Sequence, residues 1–282
     1  MQNIMLPPRF ERMPQFASSH MIDEPNSSQH TRLVHTHENE LELLFISSGQ
    51  GEHIIDGHVY EIAAGDMVVC NAGTLHGEDI ARKRQMHSYC LSFTGVKLQG
   101  LPEGCMAAPE DWPVLSLGAQ AEAVSQMMKL IHALSGQQAL ACAHIALGIL
   151  LLIYARLQSS AEHPAKKQDS TAGLMAHRIQ RYLDLHYAER LSLGTVSTAL
   201  HISEYYLAHV FKDEYGIPPM QYVLKRRIGE AQTLLMDTNI SIATISEQLG
   251  YENPANFSTV FRKYVGMSPS RYRRVFQQLN AE

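Results

Sequence analysis

His35 and His37 stand two positions apart, and on a β-strand that spacing sends both imidazoles to one face. Neutral imidazole is a hydrogen-bonding group and the commonest metal ligand, so the pair suits a binding pocket. Glu42 lies an odd number of steps from His37 and would face the other way unless the chain bends between them. A second concentration of chemistry lies near the other end of the chain. Residues 253–282 carry five basic side chains, Arg262, Lys263, Arg271, Arg273 and Arg274, against one acid, Glu282. A local cluster of cations is what phosphate binding needs.

The formal net charge of −5 hides this asymmetry. Residues 171–282 hold 12 Lys+Arg against 10 Asp+Glu, or +2, which leaves 11 against 18, or −7, for residues 1–170. At 282 residues and 45% hydrophobic content, the chain can build a core in each of two domains. Cys70, Cys90, Cys105 and Cys142 are scattered without metal-ligand or redox spacing and are expected as buried thiols in a reducing compartment. Arg9, Glu11 and Arg12 stand where a secretory signal needs an apolar stretch, so a cytoplasmic location is expected. The apolar run at 145–155 falls short of the roughly 20 residues that cross a bilayer, so no membrane partner is expected.

These residues must be positioned by two kinds of element. Short β-rich runs at 41–46, 53–55, 58–62, 67–70 and 89–93 are broken by turn residues, and Asp56-Gly57 between two of them signals a tight hairpin. Residues 119–158 change to a helical period, with a break near Ser135-Gly136. The polar segment 159–173, with Pro164, reads as a linker. The fold class is therefore α+β: a β-barrel with a helical pair over 1–158, the linker, and an all-helical domain over 174–282.

The helical domain contains a repeat. Residues 192–200 (SLGTVSTAL) match 241–249 (SIATISEQL), and 211–222 (FKDEYGIPPMQY) match 261–272 (FRKYVGMSPSRY). Each copy parses as a short helix, a tight turn and a second helix. Ser192 and Ser241 are the N-caps of the first helices, and the second helices begin near Ser203 and Asn253, the latter followed by Pro254 at a position where no N–H is missed. Leu207, Val210 and Phe211, like Phe257, Val260 and Phe261, form an apolar stripe. The opposite faces carry Glu204, Tyr205, Ala208 and His209 in one copy and Ala255, Asn256, Ser258 and Thr259 in the other. Helices so arranged fit the major groove of double-stranded DNA and are expected to meet bases there. Lys212, Lys225, Arg226, Arg227, Arg262, Lys263, Arg271 and Arg273 are expected as phosphate contacts. A single helix over 219–236, roughly 27 Å long at 1.5 Å per residue, separates the units by about one DNA turn.

This pattern resembles the AraC/XylS family of transcription regulators over nearly all of 174–282, most closely through 242–251, Phe257, 261–266 and 268–272. The resemblance implies two helix-turn-helix units on asymmetric DNA sites, a cytoplasmic homodimer, and RNA polymerase as a candidate partner. Residues 35–42 (HTHENELE) and 65–76 (GDMVVCNAGTLH) resemble the two motifs of cupin barrels. In metal-binding cupins the bend after the paired histidines exists, and His35, His37, Glu42 and His76 occupy all four ligand positions. Such a set takes Zn, Mn, Fe or Ni. Sensor domains of the regulator family use the barrel to hold a small-molecule effector without a metal, and here too the histidines could line an organic pocket. The reading is of an effector-responsive regulator, not an enzyme, with no catalytic residue. Its rivals are a metal-dependent cupin oxygenase or isomerase with a DNA-binding tail, and a barrel that only dimerises.

Overall fold

The computed structural model of the chain describes residues 9–22, 34–78, 86–108, 112–134, 138–159 and 171–279. The first half is built on β1 (Gln15–Ile22), β2 (Glu40–Ile55), β3 (His58–Ala63), β4 (Asp66–Cys70), β5 (His76–Glu78), β6 (Met86–Thr94) and β7 (Val114–Ser116). All pairings are antiparallel, in the order β1-β6-β2-β4-β7, with β3 and β5 on the far half of β2. The long β2 makes this possible. Residues 40–49 pair with β6 or β4, and a register irregularity between Ile46 and Ser48 turns the strand so that residues 50–55 pair with β3 and β5.

Alternation along β2 sorts its side chains into two cores. Leu41, Leu43 and Phe45 pack beneath α1 (Ala121–Leu134) and α2 (Ala139–Ser159), while Leu44, Ile46 and Ile55 share a second cluster with Tyr60, Ile62, Val68 and Cys90. Asp56 and Gly57, at φ 47° and 81°, form the expected hairpin turn. All four cysteines are buried thiols, as expected. The apolar run read as too short to span a bilayer belongs to the 21-residue α2, which is long and apolar enough to do so by length and composition. In this fold Ala146, Ile149, Leu150 and Ile153 of α2 are fully buried against the sheet. Residues 160–170, most of the expected linker, and the helix break at Ser135-Gly136 lie outside the described residues.

The second half consists of α3 (Thr171–His186), α4 (Leu193–Leu200), α5 (Glu204–Tyr215), α6 (Pro219–Asp237), α7 (Ile242–Gln248), α8 (Pro254–Val265) and α9 (Pro269–Leu279). They form two cores. α3, α4 and α5 enclose Ile179, Leu183, Val196, Leu207 and Phe211; α7, α8 and α9 enclose Ile245, Phe257, Phe261 and Tyr272. The 19-residue α6 serves both, giving Tyr222 and Val223 to the first and Ile228, Ala231 and Leu235 to the second. Full burial of a Phe is worth about 1.5–3 kcal/mol, so the paired Phe211 and Phe261 each anchor one unit. The repeat extends to polar contacts in the cores. Gln180 Nε2 donates to Tyr222 Oη at 3.3 Å, and Gln232 Nε2 donates to Tyr272 Oη at 3.2 Å.

Candidate functional site

Each unit starts its helices by the same chemistry. Ser192 Oγ accepts from the Thr195 N–H at 3.1 Å and Ser241 Oγ from that of Thr244 at 3.0 Å. The second helices are capped by Ser203, accepting from Tyr206 N–H at 3.1 Å, and by Asn253, accepting from Ala255 N–H at 2.8 Å. With Leu207, Val210 and Phe211 turned inward on α5, the helical period brings Glu204, Tyr205 and His209 to the solvent side, with Ala208 half-buried beside them. Tyr205 is 80% exposed, and its ring stacks on His209 with centroids 5.8 Å apart. Tyr206 is also exposed. On α8, Phe257 and Phe261 are buried, Ala255, Asn256 and Thr259 are exposed, and Ser258 is half-buried.

The expected phosphate-binding cations divide into two groups. Lys212, Arg262, Lys263 and Arg271 are exposed. Lys225 and Arg226 are buried, and Arg226 Nη1 pairs with Glu230 at 2.8 Å while its guanidinium lies 4.4 Å from the Tyr187 ring centroid. Arg227 donates to the carbonyls of Tyr187 and Glu189, both at 2.6 Å, and Arg273 Nη2 donates to the Ile240 carbonyl at 2.6 Å. Burial takes Lys225 and Arg226 out of a phosphate's reach. Arg227 and Arg273 spend donors on holding loops to helices, a use that composition cannot reveal.

At the barrel, Glu38 and Asn39 bend the chain before β2 begins at Glu40, and this resets the parity that opposed Glu42 to His37. His35, His37, Glu42 and His76 then converge with one ligand atom from each within 4.8 Å of the others. His37 Nε2 lies 3.1 Å from Glu42 Oε1, and His76 Nε2 lies 2.9 Å from Oε2. Burial opposes ionisation of Glu42, but the hydrogen bonds and charges of His37 and His76 outweigh it and hold the carboxyl well below its usual range. His76 Nδ1 lies 2.9 Å from the Thr74 carbonyl. Both ring nitrogens of His76 therefore face oxygen acceptors, and either a proton or a metal ion on Nε2 satisfies its contact with Glu42. Three imidazoles and one carboxylate are a suitable donor set for a first-row divalent ion.

Sequence reasoning missed His53. It lies on β2 with its ring 6.2 Å from that of His76 and nearly parallel to it, and both ring nitrogens lack a hydrogen-bond partner among the described residues. Burial first, then the neighbouring His76, lowers its pKa to about 3, against a smaller opposing pull from Glu42, so the ring is neutral. Its parity with Ile55 was the available signal, because both had to face the same interior.

Two repeated helix-turn-helix units with exposed second helices, carried behind a β-barrel, define a DNA-binding regulator. Residues 196–275 match the helix-turn-helix domain family, and residues 20–90 match the cupin domain family. The chain is 30% identical over 255 residues to the HTH-type transcriptional regulator YdiP of Escherichia coli K12, covering 88% of this chain and 83% of that protein. It is 27% identical over 253 residues to RhaR of Salmonella arizonae, named an HTH-type transcriptional activator, covering 86% of this chain and 88% of that protein. Among solved structures, the C-terminal domain of the response regulator yesN from Fusobacterium nucleatum is 34% identical over 36% of this chain and 98% of that chain, with a TM-score of 0.35. The chain belongs to the AraC/XylS family of HTH-type transcription regulators.

Proposed function

We propose that the chain reads two neighbouring major-groove segments of double-stranded DNA with α5 and α8. Glu204, Tyr205, Ala208 and His209 on α5, and Ala255, Asn256, Ser258 and Thr259 on α8, are the base-facing set. Lys212, Arg262, Lys263 and Arg271 supply the phosphate contacts. The carrying observation is that both helices bury one apolar stripe and expose the other side, while a single helix, α6, belongs to both cores. A continuous helix fixes the two faces in phase, which is what reading successive grooves requires. Selection of fragments from random duplex DNA by the full chain tests this. An enriched site with two separated conserved segments is expected, and a single segment unaffected by changes in α5 would contradict it.

Under the same reading, the first domain (1–158) receives a small effector and the helical domain begins at or just before residue 174. The histidine cluster is a ligand or metal site and not a catalytic centre. Leu130, on α1, and Leu140, on α2, are exposed beside the apolar helix pair, which supports pairing of two copies through this face. The location that suits this role is the cytoplasm, with RNA polymerase as the further partner.

A further inference from the structure

The strand segment that carries the histidine cluster is shared between the two halves of the molecule. His35 and His76 are joined by a pair of backbone hydrogen bonds, His35 N–H to the His76 carbonyl at 2.8 Å and His76 N–H to the His35 carbonyl at 2.9 Å. The residue preceding each, Val34 and Leu75, is buried among Ile179, Leu183 and Phe211 in the core of the first helix-turn-helix unit. Ile54, which follows His53, joins the same cluster. Alternation on a strand therefore places ligand groups on one side and DNA-binding-unit contacts on the other, one residue apart. The hairpin tip adds to this dock. His58 lies 3.9 Å from Glu214, and its ring is 5.0 Å from that of His177. A cavity of about 470 Å³ opens between Thr36, His37 and Glu38 on the barrel and Asp184, Tyr187 and Arg226 on the helices.

We infer that a divalent transition-metal ion, held by His35, His37, Glu42 and His76, is itself the effector, and that its occupancy is read by the first helix-turn-helix unit through Val34 and Leu75. The inference rests on the reading of this chain as a DNA-binding regulator and names the chemistry of its signal. Among the described residues, Glu42 is held by hydrogen bonds from His37, His76 and Ser92, whose Oγ donates to Oε1 at 3.4 Å. An ion draws four donors onto one centre, and two of these flank residues packed in the other domain. A close-packed interface cannot absorb such a shift gradually, so it favours one docking geometry over another. A ligand with different affinities for two arrangements is the sole requirement for a switch.

The test uses the full chain, purified without a metal-binding tag, stripped by chelation and titrated with Zn(II), then with Ni(II) and Mn(II). One ion per chain is expected. Amide exchange in α3 should slow by about tenfold or more on loading, and affinity for a selected DNA fragment should change by about fivefold or more. Reciprocity requires the same fragment to shift metal affinity by that same factor. Glu42→Gln should lose the ion and keep α3 exchange at its metal-free rate. Leu75→Ala should keep the ion and lose most of the change in DNA affinity. Absence of ion binding, or one bound ion with exchange in α3 and DNA affinity unchanged, overturns the inference. Selective DNA binding by the metal-free chain would then still uphold the regulator reading, which fails only if no duplex is bound with or without metal.

Discussion

Gly250→Ala should cripple the second unit, and the corresponding position of the first unit provides an internal control. Gly250 follows α7 at φ 76°, and its counterpart after α4 is His201 at φ 57°. A side chain in the left-handed region costs about 1–2 kcal/mol. At position 250 an added Cβ would also run into the backbone carbonyl of Ala188 and lie 3.2 Å from Arg227 Nη2. That carbonyl cannot swing aside, because Arg227 holds the carbonyls on either side of it, those of Tyr187 and Glu189, at 2.6 Å. Overpacking against fixed atoms adds about 1–3 kcal/mol, for a total loss of roughly 3 kcal/mol. His201 is exposed and tolerates its geometry, so His201→Gly should stabilise the chain by about 0.5–1 kcal/mol by removing the left-handed cost. Urea unfolding followed by far-ultraviolet circular dichroism is the assay, because the single tryptophan, Trp112, reports on the barrel instead. A Gly250→Ala chain within about 0.5 kcal/mol of the parent would refute the argument. So would clear destabilisation by His201→Gly.

Burial lifts the Asp184 carboxyl to about 6 against the pull of the Tyr222 hydroxyl and Arg226, and Asp56 on the barrel adds to the rise. A raised carboxyl pKa means the folded chain binds the proton more readily, so stability falls as pH rises from about 4 to 6, by roughly 3 kcal/mol in all. Asp184→Asn should abolish that slope in unfolding free energy between pH 4 and 7, and an unchanged slope would assign it elsewhere. Asn256→Ala should cost about 1–3 kcal/mol at the preferred base pair and flatten discrimination there in a competition binding assay. Arg262→Ala should weaken binding to all duplexes alike and lower the salt dependence by about one ion, whereas loss at one operator position alone would make it a base contact.

Much of the helical half was legible because the helix starts within both repeats have a local chemical cause. Serine and asparagine caps, Pro254 at the first helical position and the left-handed caps Gly216 and Gly266 all act within a few residues. The Asp56-Gly57 hairpin was legible for the same reason. The histidine cluster was half legible: period-2 reasoning paired His35 with His37 but set Glu42 apart, because the bend at Glu38-Asn39 depends on where β2 starts its pairing. Lys225, Arg226 and Arg227 were indistinguishable in sequence from surface cations. Their fate is decided by Glu230 one turn along and by Tyr187 some 40 residues away. The contact of Val34, Ile54 and Leu75 with the helical half has no sequence signature, since a residue buried between domains has the same composition as one buried within a domain.

The shared helix α6 also acts as a ruler. Because both ends are cemented into separate cores, it has no free joint, and the angle between the two reading heads is set by its pitch of about 3.6 residues per turn. One base pair added between the two segments of an operator would swing the second by roughly 34° about the duplex. Under the proposed reading, α6 has no joint with which to follow that rotation, so the cost of a misphased spacing falls on the twist of the DNA.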